Sequence, residues 1–358
     1  MSAQFQPLTI KDVRRETDEA VSVAFDVPEA LGDQYGFTAG QYLTLKADVN
    51  GEELRRNYSV CVSPHDGELR IAIKAIAGGR FSNWANDNLK PGDTLEVAPP
   101  SGSFTLGFDP ANTASYLGIA GGSGITPVIS LLKTGLREEP SSRFTLIYGN
   151  RTTDATIFLE ELQQLKNRYM DRLTLVNVLS DDLDDIEMFN GMLDKEKVGQ
   201  LLDTLGDLGD LRATFICGPG PVMDAAEEAL KERGVPEDRI MLERFGVSPP
   251  SAQAQAALQQ QSEQASGFAM RVTLDGRTRK VAFDAEAGNI LESARKAGLP
   301  APYACKAGVC ATCRAKVVNG KIRMAARYGL SDKDIEDGYI LTCQAIPEED
   351  GVAVNFDQ

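Results

Sequence analysis

The sequence has one histidine, His65, within the turn-like stretch SPHDGE. Rieske centres need two imidazoles, and haem and di-iron sites draw on histidine as well. Any oxygen-activating centre therefore belongs on another protein. No run of eighteen apolar residues occurs, so no membrane span is expected. Positive charge is not in excess: the net charge is −15, which excludes a nucleic-acid-binding role. From Phe268 onward thirteen Lys and Arg meet twelve Asp and Glu, so the negative charge lies before it. Asp181 to Asp210 alone holds ten acidic residues and two lysines, and reads as a solvated face. The first twenty residues lack the basic-then-apolar layout of a secretory leader. The expectation is a cytoplasmic protein whose cysteines act as ligands rather than in disulfides.

Of the six cysteines, Cys305, Cys310, Cys313 and Cys343 follow the spacing Cys-x4-Cys-x2-Cys and then a distant Cys. That is the ligand spacing of a plant-type [2Fe–2S] cluster. Tight zinc sites pair two short Cys-x2–4-Cys knuckles, and Cys343 has no such neighbour. The small residues Ala307, Gly308, Ala311 and Thr312 would let the loop wrap closely, with its amides turned to the sulfurs. Such a cluster takes one electron at a time, so the rest of the chain should show where electrons enter.

Hydropathy patterning divides the chain into residues 1–110, 111–247, 248–267 and 268–358. The first part alternates short segments (VSVAFDV, QYLTLKAD, ELRIAIKAI, DTLEVAPP) with turn residues, as an antiparallel β-barrel does. The second alternates buried strands (SYLGIAG, RFTLIYGN, RLTLVNVLS, ATFICG) with helical stretches, predicting a doubly wound α/β parallel sheet. The third, rich in Gln, Ala and Ser, reads as a linker with a short helix possible at AQAALQQQ. The last carries the cluster cysteines.

Four further motifs suit anionic nucleotides. In Arg56-Asn57-Tyr58-Ser59 an arginine fork can pair with phosphate, a tyrosine can lie along a ring and a serine can hydrogen-bond it. Gly78-Gly79-Arg80-Phe81-Ser82-Asn83 precedes the helical stretch Trp84–Leu89, with Ser82 as the expected cap. Gly118 to Pro127 (GIAGGSGITP) joins the first α/β strand to its helix, where a doubly wound fold binds phosphates, with Thr126 as expected N-cap and Pro127 as first helical residue. Cys217-Gly218-Pro219-Gly220 makes a second strand-to-helix turn, in which Cys217 reads equally as a small buried residue.

Together these stretches resemble the ferredoxin–NADP reductase superfamily, fused to a C-terminal β-grasp ferredoxin domain of α+β class. The order matches the reductase components of bacterial multicomponent oxygenases. The likeness runs furthest toward those serving phenylacetyl-coenzyme A epoxidation, through YGNRT, LERFG, YACKAGVCATCRAKVVNGKIRM and GYILTCQAIP. Reductases of steroid and aromatic-ring hydroxylases share the layout. The resemblance implies FAD held by Arg56, Tyr58, Ser59, Val60, Lys74, Gly79, Arg80, Phe81 and Ser82. It implies NAD(P) held by Gly121, Gly122, Gly124, Thr126, Arg151, Cys217, Gly218 and Pro219. Cys217, Glu243 and Phe245 would lie near flavin and nicotinamide, with Cys217 packing rather than reacting and Phe245 sheltering the flavin or packing in a core. Electrons would pass from NAD(P)H through FAD to [2Fe–2S] and on to the hydroxylase subunits of a separate oxygenase. An electron carrier without NAD(P)H oxidation is the alternative of another class, which the intact nucleotide motifs oppose. Arg151 beyond the second α/β strand favours NADPH, and Asp181 after the next strand favours NADH.

Overall fold

The computed structural model describes residues 5–206, 208–246 and 252–358. They form two compact units, Phe5–Arg244 and Phe245–Gln358. The first unit begins with six antiparallel strands: β1 (Gln6–Thr17), β2 (Ala20–Asp26), β3 (Tyr42–Val49), β4 (Glu52–Ser59), β5 (Leu69–Lys74) and β6 (Thr94–Val97). Their order is β4-β3-β6-β1-β2-β5, and a bridge from Val60 to Ile71 joins the two edges into a barrel. Closure removes the unpaired edges an open sheet would leave. Leu8, Ile10, Val23, Leu43, Leu45, Ile71, Ile73 and Val97 fill the interior. The short helix α1 (Gly32–Tyr35) plugs one side, where Tyr35 Oη donates to the Val97 carbonyl at 2.7 Å. Arg56–Ser59 sit inside β4. The polar sequence EELRRN hid that strand, because most of its residues face outward.

The same unit continues with five parallel strands: β7 (Ser115–Gly121), β8 (Arg143–Asn150), β9 (Leu173–Leu179), β10 (Leu211–Cys217) and β11 (Ile240–Glu243). Their order is β11-β10-β7-β8-β9. The chain runs outward from β7 to β9, then crosses to build the other side. The gap between β7 and β10 is therefore the switch point of the sheet, where such folds bind ligands. Helix α2 (Arg80–Asn88) precedes this sheet, and α3 (Ile125–Glu138), α4 (Leu159–Arg168), α5 (Lys195–Leu205) and α6 (Gly220–Glu232) are its crossovers.

Three contacts fix the sheet against the barrel. Ser130 and Thr134 of α3 donate to the Val62 carbonyl (2.6 Å) and to Ser63 Oγ (3.0 Å), just after the Arg56–Ser59 motif. His65, in a capped turn as expected, reaches Glu138 of α3 at 2.6 Å. A buried carboxylate then locks the start of the α/β part. Glu139 is fully buried and accepts from Asp109 N (2.9 Å), Asn112 Nδ2 (2.7 Å), Tyr116 Oη (2.9 Å) and Ser142 Oγ (2.6 Å).

The second unit holds β12 (Ala269–Leu274), β13 (Arg277–Ala282), β14 (Arg314–Asn319), β16 (Tyr339–Leu341) and β18 (Ala353–Asn355) in the order β13-β12-β18-β14-β16. Strands β15 (Ile322–Met324) and β17 (Ala345–Pro347) form a separate antiparallel pair. β12 and β18 are parallel neighbours, and α8 (Ile290–Lys296) crosses the sheet. This is the expected β-grasp architecture. α9 (Asp332–Glu336) leads into β16. The segment expected as linker is largely helical: α7 (Ala252–Gln264) spans thirteen residues. Its C-terminal part belongs to the ferredoxin core, with Leu258 packed against it, Ala265 buried and Ser262 Oγ donating to the Ala285 carbonyl at 2.9 Å. The low mean hydropathy of this stretch concealed that attachment, because only one narrow stripe is apolar.

Burial penalises the Glu139 carboxylate, yet the hydrogen bonds from Asn112, Ser142 and the Asp109 N–H outweigh it and hold the group below the usual range. Glu139→Ala is expected to lower stability in urea by about 3 kcal/mol, through stranded donors. The contribution is complete above the ordinary carboxyl pKa and disappears as pH falls through the lower folded value. The urea midpoint difference between wild type and variant should therefore shrink toward pH 3.

Candidate functional site

Arg56, Tyr58 and Ser59 end β4, and the loop after β5 brings the GGRFSN segment beside them. The rings of Tyr58 and Phe81 lie 5.7 Å apart. Asn86 ties α2 to the Ile73 carbonyl at 3.0 Å. Helix α2 starts at Arg80 with Gly79 as N-cap, earlier than expected, so Ser82 does not cap it. Ser82 lies instead in the first turn, 3.5 Å from the Gly79 carbonyl. A side chain at Gly79 would lie 2.3 Å from Ser82 Oγ. Phe81 and Val60 are buried, Lys74 is half-buried, and Arg56 and Arg80 are exposed, the latter paired with Glu52. The hydroxyl of Ser59 is buried without a protein partner. A buried orphan hydroxyl beside a half-buried tyrosine, an exposed arginine and a glycine-started helix fits a flavin dinucleotide.

The second site is built almost without side chains. Gly121, Gly122 and Gly124 leave β7, and Gly218 and Pro219 leave the neighbouring β10. A Cβ on Gly124 would lie 2.1 Å from the Cys217 carbonyl oxygen. One on Gly121 would meet Pro219 at 2.7 Å, and one on Gly218 would meet Gly121 N at 2.9 Å. Only glycine lets these loops touch, and the result is a bare backbone cradle at the switch point. Helix α3 begins at Ile125, after a 3-10 turn over Gly122–Gly124, so Thr126 is not its N-cap. Thr126 Oγ1 donates to the Ser123 carbonyl at 3.0 Å. The glycine run stays helical, which sequence alone does not favour, because the cradle holds it.

Two residues escaped the sequence reading. Asn150 ends β8 beside Gly121, with both side-chain polar atoms buried and unpartnered. Glu19, in the β1–β2 turn, pairs with Arg151 at 2.8 Å and approaches Lys74 at 3.7 Å. Lys74 Nζ in turn lies 3.7 Å from where a Cβ on Gly122 would stand. The flavin-type and dinucleotide-type sites are thereby contiguous. An asparagine at a strand end was visible in YGNR, but its orphaned amide was not.

Cys217 is fully buried and stands opposite Glu243 in the β10–β11 register. Burial, then the Glu243 charge, push its thiol well above the ordinary value. Phe245 opens the second unit and is 41% exposed.

The cluster cysteines lie in the second unit as two pairs. Cys305 N donates to Cys310 Sγ at 3.5 Å, and the two thiols share a hydrogen bond. Cys313 and Cys343 share another. In each pair that bond raises one thiol, Cys305 or Cys313, and lowers the other, Cys310 to about 5 and Cys343 below its ordinary value. Among the described residues no three His, Cys, Asp or Glu converge on a single point. Two thiol pairs fit two irons, whereas a zinc ion would need four thiolates on one centre. Lys306, Gly308 and Ala311 adopt positive φ (54°, 75° and 52°). These turns bring Ala307 N to 3.3 Å from Cys305 Sγ, as inward amides should.

Three family models match in succession: an oxidoreductase FAD-binding domain over residues 7–106, an oxidoreductase NAD-binding domain over 119–228 and a 2Fe-2S iron-sulfur cluster binding domain over 272–348. A subunit of 1,2-phenylacetyl-CoA epoxidase from Escherichia coli K12 is 44% identical, covering 99% of this chain and 98% of its own. The chain belongs to the ferredoxin–NADP reductase superfamily. Within it, the fused 2Fe-2S domain marks it as a reductase of the oxygenase type. The ferredoxin reductase component of 3-ketosteroid-9-alpha-monooxygenase from Mycobacterium tuberculosis is 34% identical over 98% of this chain and 96% of its own. Phthalate dioxygenase reductase shares the fold, with a TM-score of 0.63 at 23% identity over 98% of both chains. The protein is thus an NAD(P)H oxidoreductase using FAD and [2Fe–2S].

Cys217→Ala and Gly124→Ala should separate packing from cradle. The first is expected to keep anaerobic flavin reduction by NADPH within about threefold, as loss of a buried unreactive atom does. The second should slow it by about a hundredfold or more while flavin content stays unchanged, since a misplacement near 1 Å costs that much. Stopped-flow absorbance at the flavin band measures both.

Proposed function

We propose that this reductase supplies electrons to the hydroxylase subunits of a phenylacetyl-CoA epoxidase. The observation that carries the reading is the 44% identity to an epoxidase component across nearly the whole chain, against 34% for the steroid monooxygenase component. Bound FAD would supply the splitting of one hydride's electron pair into single electrons that the cluster can take. The chain's own groups then hold and aim. Arg56, Arg80 and the α2 N-terminus would hold the phosphate end of the flavin, and Ser59 and Tyr58 its ring. Val60, Lys74, Phe81 and Ser82 complete that wall. Gly121, Gly122, Gly124, Thr126, Gly218 and Pro219 would seat the pyridine nucleotide against backbone N–H groups, with Cys217 packed behind it and Glu243 toward the nicotinamide end. Cys305 with Cys310, and Cys313 with Cys343, each hold one iron. Six cysteines without a disulfide suit a reducing cytoplasm, and no helix among the described residues is long and apolar enough to cross a membrane.

Purified epoxidase hydroxylase subunits, phenylacetyl-CoA and NADPH provide the test. This reductase should support epoxide formation, detected by mass spectrometry, at a rate exceeding that with a steroid hydroxylase by at least about tenfold. Equal or better coupling to the steroid enzyme would sink the proposal.

We read NADPH as the preferred nucleotide. Arg151 stands exposed just beyond β8 at the edge of the cradle, anchored by Glu19, and its fork suits a 2′-phosphate. Asp181 N donates to the Arg151 carbonyl at 2.8 Å, so one acidic side chain stands close by and argues for NADH. Arg151→Ala should lower kcat/KM for NADPH by roughly tenfold, the value of one charge-assisted contact, and change that for NADH little. A wild-type enzyme markedly faster with NADH would reverse the assignment.

A further inference from the structure

The segment Ala325–Gly329 forms one wall of the cluster loop. Gly329 N donates to the Gly308 carbonyl at 2.9 Å, and Ala325 N donates to the carbonyl of Gln344, the neighbour of Cys343. A Cβ on Gly308 would lie 3.3 Å from Ala326 Cβ, and one on Gly329 would lie 2.9 Å from Ala311 N. The wall is thin because its inner residues are Ala and Gly. Its outer residues are different. Arg327 is exposed, Tyr328 is 58% exposed, and Arg323 projects outward from β15 while Ile322 and Met324 pack inward.

Two other basic groups near the loop are ion-paired. Lys306 pairs with Glu292 at 2.9 Å and Arg314 with Asp334 at 2.7 Å. Arg323 and Arg327 have no ion pair or side-chain hydrogen bond among the described residues. Two uncompensated arginines thus border the four cysteines of a chain whose net charge is −15.

We propose that Arg323 and Arg327 form the docking rim for an acidic face of the protein that takes electrons from the cluster. The proposal rests on the reading of the cysteines as the electron exit. An acidic partner is repelled by most of this chain and attracted at the rim, so the field directs encounters to the place where transfer occurs. The inner Ala and Gly residues keep that partner close to the sulfurs.

The test uses the full holoenzyme, NADPH and three acceptors. Cytochrome b5 is acidic, cytochrome c is basic, and ferricyanide is small enough to report the flavin half directly. The double variant Arg323→Glu/Arg327→Glu should reduce cytochrome b5 about tenfold more slowly at low salt and lose most of the salt dependence. Cytochrome c reduction should not fall, and ferricyanide reduction should stay unchanged. The double glutamine variant should give an intermediate loss with cytochrome b5. Unchanged cytochrome b5 kinetics in both variants would overturn the rim. Cys343→Ala separates the two readings. If cytochrome b5 reduction survives that change, the exit reading falls and the rim with it. If it depends on Cys343 but ignores the arginines, the rim alone falls.

Discussion

The close approach of two backbone turns, at the carboxyl ends of adjacent parallel strands, is the constraint on which the nucleotide end depends. Gly124 reaches the carbonyl of Cys217 and Gly121 reaches Gly218 with no room for a single added carbon. Parallel neighbours β7 and β10 make that meeting possible, because both chains leave the sheet on the same side. The barrel is then brought up to the cradle by α3, whose Ser130 and Thr134 grip the residues after β4. One helix therefore sets the separation of the two nucleotide sites. Its own start is held by the glycine turn that forms the cradle.

The cluster end obeys a different rule. There the chain accepts left-handed backbone at Lys306 and Ala311, where side chains ordinarily disfavour it. Such conformations persist only where surrounding packing fixes them. Gly329 against Ala311 N and Gln344 against Gly308 supply that packing. The gain is a loop whose N–H groups turn toward sulfur.

Much of this was legible in the residues, for specific reasons. The cysteine spacing and the glycine-rich turns are short patterns whose chemistry is local, so they could be read directly. The strands flanking those turns were equally plain where both faces are buried, as in SYLGIAG and RFTLIYGN. β4 was missed because its outward residues are charged. The starts of α2 and α3 were placed too late, since Gly79 and Gly124 begin helices that propensity would delay. Ser82 and Thr126 consequently lost the capping roles assigned to them. The segment 248–267 looked like a tether because composition cannot display the few contacts of Leu258, Ser262 and Ala265 that attach α7 to its unit. Glu139, Glu19 and Asn150 were invisible for a related reason. Each matters through partners far away in sequence, and nothing in the neighbouring residues marks them.

The pairing of Cys313 with Cys343 bears on how the cluster is assembled. Cys305, Cys310 and Cys313 are delivered by one continuous loop, but Cys343 reaches them only when β16 lies against β14. The fourth ligand is thus a product of tertiary folding, whereas the other three are set by local chain geometry. A chain in which β16 has not docked would present one complete thiol pair and one half-pair, so the full ligand set would exist only once this unit has folded.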